Sequence, residues 1–286
     1  AINPMLEARQ IVELMRAAGV KILVTVDASI SPDIHARALD ASAGIEHILL
    51  CSTGQTGSLW DALNNERADA LNFEPPQAAE VSTLLCTGGT TGLPKIAKRT
   101  HGAEVFTCWA SAQFNPELYN NGSTTFCGLP MFHSNAIMVT GLLPLMHGGH
   151  VVIGGRDGYR SDGILANFWK IVERFKVEVF SGVPAIYNAL LHVPRGGEDI
   201  SSLVCGVCGA APMPVELFKT FEQSMGVRII EGYGLTEGTV ISSRNPFYAD
   251  APRIGSIGMR LPYQDMRTAV LDHAGGLERW AKTDEV

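Results

Sequence analysis

TGGTTGLPK, at residues 87–95, places three glycines, three threonines and a lysine directly after the apolar run VSTLLCT. Gly88, Gly89 and Gly92 free the backbone to turn its amide N–H groups toward one concave point. Thr87, Thr90 and Thr91 add hydroxyl donors and Lys95 adds a positive charge, a combination suited to a polyphosphate. It is not a Walker-type loop, because Leu93 and Pro94 separate the lysine from the last glycine and no Ser or Thr follows it. Pro94 also disfavours a helix through that junction. An ordinary glycine-rich surface turn is the alternative. A second segment, EGYGLTEG at residues 231–238, again follows an apolar run. Gly232 and Gly234 flank Tyr233, whose ring can stack on a base, while Thr236 can donate to a phosphate and Glu237 supplies a hard oxygen for magnesium. It departs from the dinucleotide fingerprint because the third glycine, Gly238, comes one position late. A glycine-rich turn with a solvated glutamate would look similar.

Read together, and with CGAAPMP (residues 208–214) between them, these segments resemble the adenylate-forming superfamily, specifically AMP-forming acyl-CoA synthetases. The resemblance implies that Thr87, Gly88, Gly89, Thr90, Thr91, Gly92 and Lys95 hold ATP phosphates. It implies that Tyr233 stacks on adenine, with Gly234 in the same turn, that Thr236 contacts phosphate and that Glu237 binds Mg²⁺. Gly209, Ala210, Ala211 and Pro212 match the strand-end segment lining the adenine and acyl pocket. LPMFHSNA, residues 129–136, resembles the family's strand-end histidine motif and makes His133 a candidate gate beside the carboxylate; alone, such a histidine reads as structural. GSIGMRLP resembles the stretch closing the acyl pocket, so Gly255 and Gly258 are candidate backbone-approach sites, the alternative being a bulged strand. Thr91, Lys95, His133, Thr236 and Glu237 are the expected catalytic group, and Glu237 the expected metal ligand. The implied activity is that of an ATP-dependent acid–thiol ligase fragment, with ATP/AMP, Mg²⁺ and a small carboxylic acid, and CoA as co-substrate in a complete member. The family's ribose-binding aspartate, hinge and C-terminal catalytic-lysine domain are expected to lie outside this sequence. Two alternatives stand beside it: an ester or thioester hydrolase using His133, and a nucleotide-binding module without catalysis.

Other constellations are weaker. Cys205 and Cys208 form a CxxC without a second such pair, inside a strand-like run, which favours packing over metal or redox chemistry. No GxSxG elbow is present. Phe106 and Trp109, at helical spacing, fit core packing better than an acyl site.

The elements that must position these residues follow an alternating rhythm. Leu6, Ile11, Leu14 and Met15 predict a first helix capped by Gly19, followed by the strand KILVTV and a second helix after Pro32. Strand-like runs recur at IEHILLC, VSTLLCT, TTFCGL, HVVIGG, VEVFSG, SLVCGVCG and VRIIEG. Short apolar strands alternating with helices predict an α/β fold of stacked, mostly parallel sheets covered by helices. After position 248, RIGSIGMRLP and MRTAVLD read as the start of a small antiparallel β unit. The expected division is an adenylation-type core over 1–250, made of two β-α-β subdomains, and an incomplete β subdomain over 251–286. Residues 67–80 read as a long connection.

The chain has 286 residues and a net charge of −7, which argues against nucleic acid as a partner. With 46% apolar and 18% charged residues it is a folding chain. The apolar stretch from 136 to 146 is well short of the ~20 residues a spanning helix needs, so no membrane span is expected. No signal peptide is visible. Six cysteines set in apolar runs read as reduced thiols and point to the cytoplasm. Sheet edges left open at either end would favour self-association.

Overall fold

The computed structural model describes residues 1–42, 45–51, 58–66, 73–87, 95–119, 122–247 and 253–282. The chain divides into two compact units, Ala1–Ala103 and Glu104–Val286.

In the first unit, helix α1 (Ala8–Ala18) buries Ile11, Leu14 and Met15 and ends at Gly19, whose φ of 64° is left-handed. Its start is closed by a reciprocal pair, with Glu7 N–H donating to Gln10 Oε1 at 3.1 Å. Strand β1 (Ile22–Val26) pairs in parallel with β2 (His47–Cys51), joined through helix α2 (Pro32–Ala41), which carries Pro32 at its first turn. Helix α3 (Leu59–Asn64) begins at Ser58, whose hydroxyl accepts from the Asp61 N–H. Strands β3 (Val81–Thr87) and β4 (Lys95–Thr100) form an antiparallel pair. Sequence alternation suggested β3 but not β4, because KIAKRT carries three cations that read as solvated surface.

Helix α4 (His101–Phe114) leads into the second unit. There follow α5 (Pro116–Tyr119), β5 (Thr124–Cys127), a π-helix (Asn135–Leu142), α6 (Leu143–Met146), β6 (His150–Ile153), a short 3₁₀ turn (Gly158–Arg160), α7 (Asp162–Ala166), α8 (Phe168–Phe175) and β7 (Val179–Gly182). The chain continues through α9 (Pro184–Leu191), β8 (Cys205–Cys208), α10 (Val215–Met225), β9 (Arg228–Tyr233), β10 (Ser243–Arg244), β11 (Met259–Arg260) and the hairpin β12 (Ala269–Leu271) and β13 (Leu277–Trp280).

Among the described residues one sheet runs in the order β11-β10-β9-β8-β7-β5-β6, parallel from β9 to β6 and antiparallel at β10 and β11. The predicted α/β class with a mostly parallel sheet is thus what the chain adopts. One detail differs: Met259 joins the main sheet through β11 instead of belonging to the small antiparallel hairpin. The reason lies at Gly258, which has a φ of 78° and where a Cβ would sit 2.1 Å from the Arg244 carbonyl carbon. Only a glycine lets that backbone close onto β10.

Every residue of β7 and β8 is buried, as expected of central parallel strands covered on both faces. On one face Phe126, Phe180 and Ile229 pack with Phe168, Trp169, Val172, Tyr187, Leu190, Phe218 and Phe221 of α8, α9 and α10. On the other, Val179, Cys205, Val207 and Ile230 pack with Cys108, Ala112, Leu118, Tyr119, Met138 and Leu143. Each fully buried aromatic contributes about 1.5–3 kcal/mol relative to exposure.

This arrangement decides the CxxC. Cys205 belongs to one face and Cys208 to the other, and three strand steps separate their Cα atoms by about 10 Å, beyond disulfide reach. Burial pushes both thiols up to about 12, so both are protonated at neutral pH. In a thiol titration of the native chain, Cys108, Cys127, Cys205 and Cys208 are expected to stay unmodified, while the half-buried Cys51 and Cys86 react. Fast labelling of Cys205 or Cys208, or an intrachain disulfide between them, would contradict this packing.

Candidate functional site

Because β5, β7, β8 and β9 run in parallel, Cys127, Gly182, Cys208 and Tyr233 all end at the same edge of the sheet. From β5 the chain goes outward to β6 and then returns to β7 on the opposite side. Such a reversal opens a crevice beyond the strand ends, where open α/β sheets take ligands. His133, Gly209, Ala210, Ala211, Pro212, Tyr233, Gly234, Thr236 and Glu237 all fall in segments leaving this edge.

After β8, Gly209, Ala210, Ala211 and Pro212 form the turn into α10. Ala210 takes a φ of 67°, in the left-handed region that an alanine enters only at a cost of about 1–2 kcal/mol. Ala210, Ala211 and Pro212 are exposed, whereas Met213, the next residue, is buried in the aromatic core and anchors the turn. The turn therefore offers small side chains and bare backbone to whatever lies over the edge.

Tyr233 closes β9 as an exposed residue, 40% accessible. Its backbone lies opposite Ser243 of β10, and the Ser242 N–H donates to the Tyr233 carbonyl at 2.9 Å. The chain then folds back on itself, with the N–H groups of Gly238 and Val240 both donating to the Leu235 carbonyl, at 3.1 and 2.9 Å. Thr239 and Val240 take φ values of 67° and 108°. Two adjacent β-branched residues in that region are costly, and such backbone strain concentrates where a segment must present groups to a ligand. Thr236 is half-buried and Glu237 exposed within this turn.

His133 lies six residues beyond β5, exposed, with its ring 4.5 Å from that of Phe132. Desolvation by the protein atoms around this otherwise exposed ring, followed by the charge of Arg160, lowers its pKa from the usual histidine value and favours the neutral form. The π-helix starts two residues later, a geometry frequent at functional sites.

In the first unit, Thr87 ends β3 directly opposite Lys95, which begins β4. The Thr87 hydroxyl donates to the Lys95 carbonyl at 3.5 Å, a long bond that leaves it able to serve another acceptor. Gly88, Gly89, Thr90, Thr91 and Gly92 lie outside the described residues. What flanks them is a strand on each side, so the lysine does not open a helix as it does in a Walker-type loop. The cavity of about 330 Å³ in this unit, lined by Val12, Met15, Arg16 and Ala41 among others, contains none of the candidate residues.

Several residues with a part in this geometry carried no role in the sequence reading: Glu231, Asn245, Thr239 and Val240. The bonds of Glu231 and Asn245 run to segments distant in sequence, and left-handed β-branched residues have no compositional signature.

Solved structures with the same fold include the anthranilate CoA ligase AuaEII in complex with anthranoyl-AMP, at a TM-score of 0.80 and 22% identity, covering 97% of this chain and 52% of that one. The N-terminal domain of FACL13 from Mycobacterium tuberculosis matches at a TM-score of 0.78 and 24% identity, over 97% of this chain and 66% of that one. The fold is therefore that of the N-terminal domains of adenylate-forming CoA ligases. Residues 1–281 match the family described as AMP-binding enzyme, and the chain belongs to that family. It is similar to a marinolic acid–CoA ligase of Pseudoalteromonas sp., 37% identical over 294 residues, covering all of this chain and 45% of that relative. A feruloyl-CoA synthase of Amycolatopsis sp is 31% identical over 209 residues, covering 70% of this chain and 40% of that relative. The chain thus spans less than half the length of these two curated relatives.

Gly234 makes the sharpest test of the turn, because a Cβ there would lie 1.5 Å from the Val240 carbonyl oxygen. Gly234→Ala is expected to cost more than about 1 kcal/mol in urea unfolding and to raise amide exchange across residues 234–240. Unchanged stability and exchange would show that the turn does not close as described.

Proposed function

We propose that this chain is the nucleotide- and acid-binding part of an ATP-dependent acid–thiol ligase, activating a small carboxylic acid as its acyl adenylate. The observation that carries the reading is the convergence of the exposed Tyr233, the strained Gly209–Pro212 turn and the Thr236–Glu237 turn at one sheet edge beside the crossover reversal. A flat ring next to bare backbone suits adenine, and family membership makes a nucleotide the expected occupant.

The chemistry asks for little from the protein in acid–base terms. The nucleophile is already a carboxylate: it would attack the α-phosphate, breaking the bond to the β-phosphate and releasing pyrophosphate, and the barrier is the approach of one anion to another. Donors and positive charge fixed in advance lower it. Thr87, Thr90, Thr91, Lys95 and the glycine amides between them would hold phosphate oxygens, and Thr236 would donate to the α-phosphate. Tyr233 and the segment Gly209 to Pro212 would hold the adenine. His133, in its favoured neutral form, would stand beside the carboxylate without repelling or protonating it. Among the described residues no cluster of three potential metal ligands exists. A lone exposed Glu237 fits Mg²⁺ all the same, since that ion is bound through one or two carboxylates together with substrate phosphates and water. When bound, Mg²⁺ would supply charge neutralisation of the phosphates. CoA would take the acyl group in a second step, releasing AMP. Among the described residues no hydroxyl is hydrogen-bonded to the His133 ring, so the hydrolase alternative would need that ring to activate water directly. Free thiols at all six cysteines fit a reducing compartment such as the cytoplasm.

Calorimetric titration of the chain is expected to show saturable binding of Mg·ATP, weakened roughly tenfold, about 1.4 kcal/mol, by Glu237→Ala. AMP without metal is expected to bind both proteins alike, whereas Tyr233→Ala should weaken AMP by the roughly 1–3 kcal/mol of one base–aromatic stack. Nucleotide affinity indifferent to both substitutions would sink the assignment.

A further inference from the structure

Glu231 is buried at 7% exposure, next to the segment that presents Tyr233, and no role given above uses its side chain. Both of its carboxyl oxygens are engaged. Oε1 accepts the Met213 N–H at 3.2 Å and Oε2 accepts the Gly255 N–H at 3.1 Å. Its backbone carbonyl accepts the Asn245 N–H at 2.9 Å, and the Asn245 side-chain amide donates in turn to the Ser256 carbonyl at 2.8 Å. One residue of β9 therefore ties down the turn between β8 and α10, the stretch after β10 and the loop over residues 253–258.

The chemistry is specific to a carboxylate. The Met213 and Gly255 amides belong to irregular segments and receive no strand partner; Met213 is buried, where an N–H without an acceptor is costly, while the bond to Gly255 ties an exposed turn to β9. Two convergent donors need two acceptor oxygens from one side chain. An aspartate is a methylene too short to span them. A glutamine satisfies one and turns its own NH₂ toward the other. The residues held are also the informative ones: Met213 directly follows Pro212, and Tyr233 lies two positions beyond Glu231.

We propose that Glu231 is a positioning residue that sets the spacing between the Gly209 to Pro212 turn, the Tyr233 ring and the 253–258 loop, and so fixes the width of the adenine slot without itself contacting the nucleotide. The proposal rests on the nucleotide reading above for the identity of the occupant, but the clamp is testable without it.

Amide exchange followed by mass spectrometry on the full chain, as wild type, Glu231→Ala and Glu231→Gln, is combined with AMP titration of each. In Glu231→Ala, exchange is expected to rise roughly ten- to hundredfold in both 209–214 and 253–258, the scale of one charge-assisted hydrogen bond. In Glu231→Gln it is expected to rise in one of these segments and not the other. Exchange in α8 should stay at the wild-type rate in both, and AMP affinity should fall at least about tenfold. If Glu231→Ala fails to fold, the one-segment signature of Glu231→Gln carries the test. Unchanged exchange in both segments, a uniform rise that includes α8, or loosened segments with unaltered AMP affinity would each overturn the proposal. A wild-type chain that binds no AMP overturns the nucleotide reading instead, and the exchange pattern then still upholds or overturns the clamp.

Discussion

Every candidate residue at the strand-end edge of the second unit depends on that unit's central strands being buried on both faces. β7 and β8 are fully enclosed between an aromatic layer built on Phe168, Trp169, Phe180 and Tyr187 and an aliphatic layer around Val179, Cys205 and Met138. Close-packed interiors tolerate little displacement, so the strand ends are held in fixed relation. A parallel arrangement then guarantees that all of them finish at one edge, and the crossover reversal opens that edge to a ligand.

That rigidity lets the edge hold conformations the chain would otherwise avoid. Ala210, Thr239 and Val240 adopt left-handed backbones, and Gly234 and Gly258 are positions where a Cβ would collide with neighbouring backbone. Such strain persists only when the surroundings over-determine it. Here the surroundings are the buried Met213 anchor, the β9–β10 pairing and the hydrogen bonds converging on Glu231. Packing energy from the core is thus converted into a preorganised surface of small side chains, bare amides and one exposed aromatic residue. Preorganisation of this kind is what a reaction between two anions requires, because the fixed dipoles need no reorganisation when charge builds at the phosphate.

The parallel core was legible because apolar runs such as VEVFSG and SLVCGVCG have no amphipathic alternation, which only doubly covered strands can afford. The candidate segments were legible because glycines cluster where strands end. What stayed hidden has physical reasons too. β10 and β11 are two residues each, too short for any periodicity, and exist through pairing with β9. KIAKRT conceals β4, since its buried face is carried by Ala97 and Arg99, and a strand with an arginine on its inward side shows no apolar alternation. Glu231 reads in sequence as a strand-end acid like any other, and only folding reveals that its oxygens meet amides 18 and 24 residues away. Cys205 and Cys208 show the opposite case: their place inside an apolar, strand-like run already favoured packing over a paired role, and strand geometry puts them on opposite faces.

The proposed place of adenine, at the strand-end edge of the second unit, is tested most directly by photocrosslinking of the chain with 2-azido-AMP followed by peptide mapping. Labelled residues are expected within 209–214 or 231–238, with labelling suppressed by excess AMP. Label concentrated elsewhere, for example at the α1–α2 cavity of the first unit, or label insensitive to AMP, would contradict this placement.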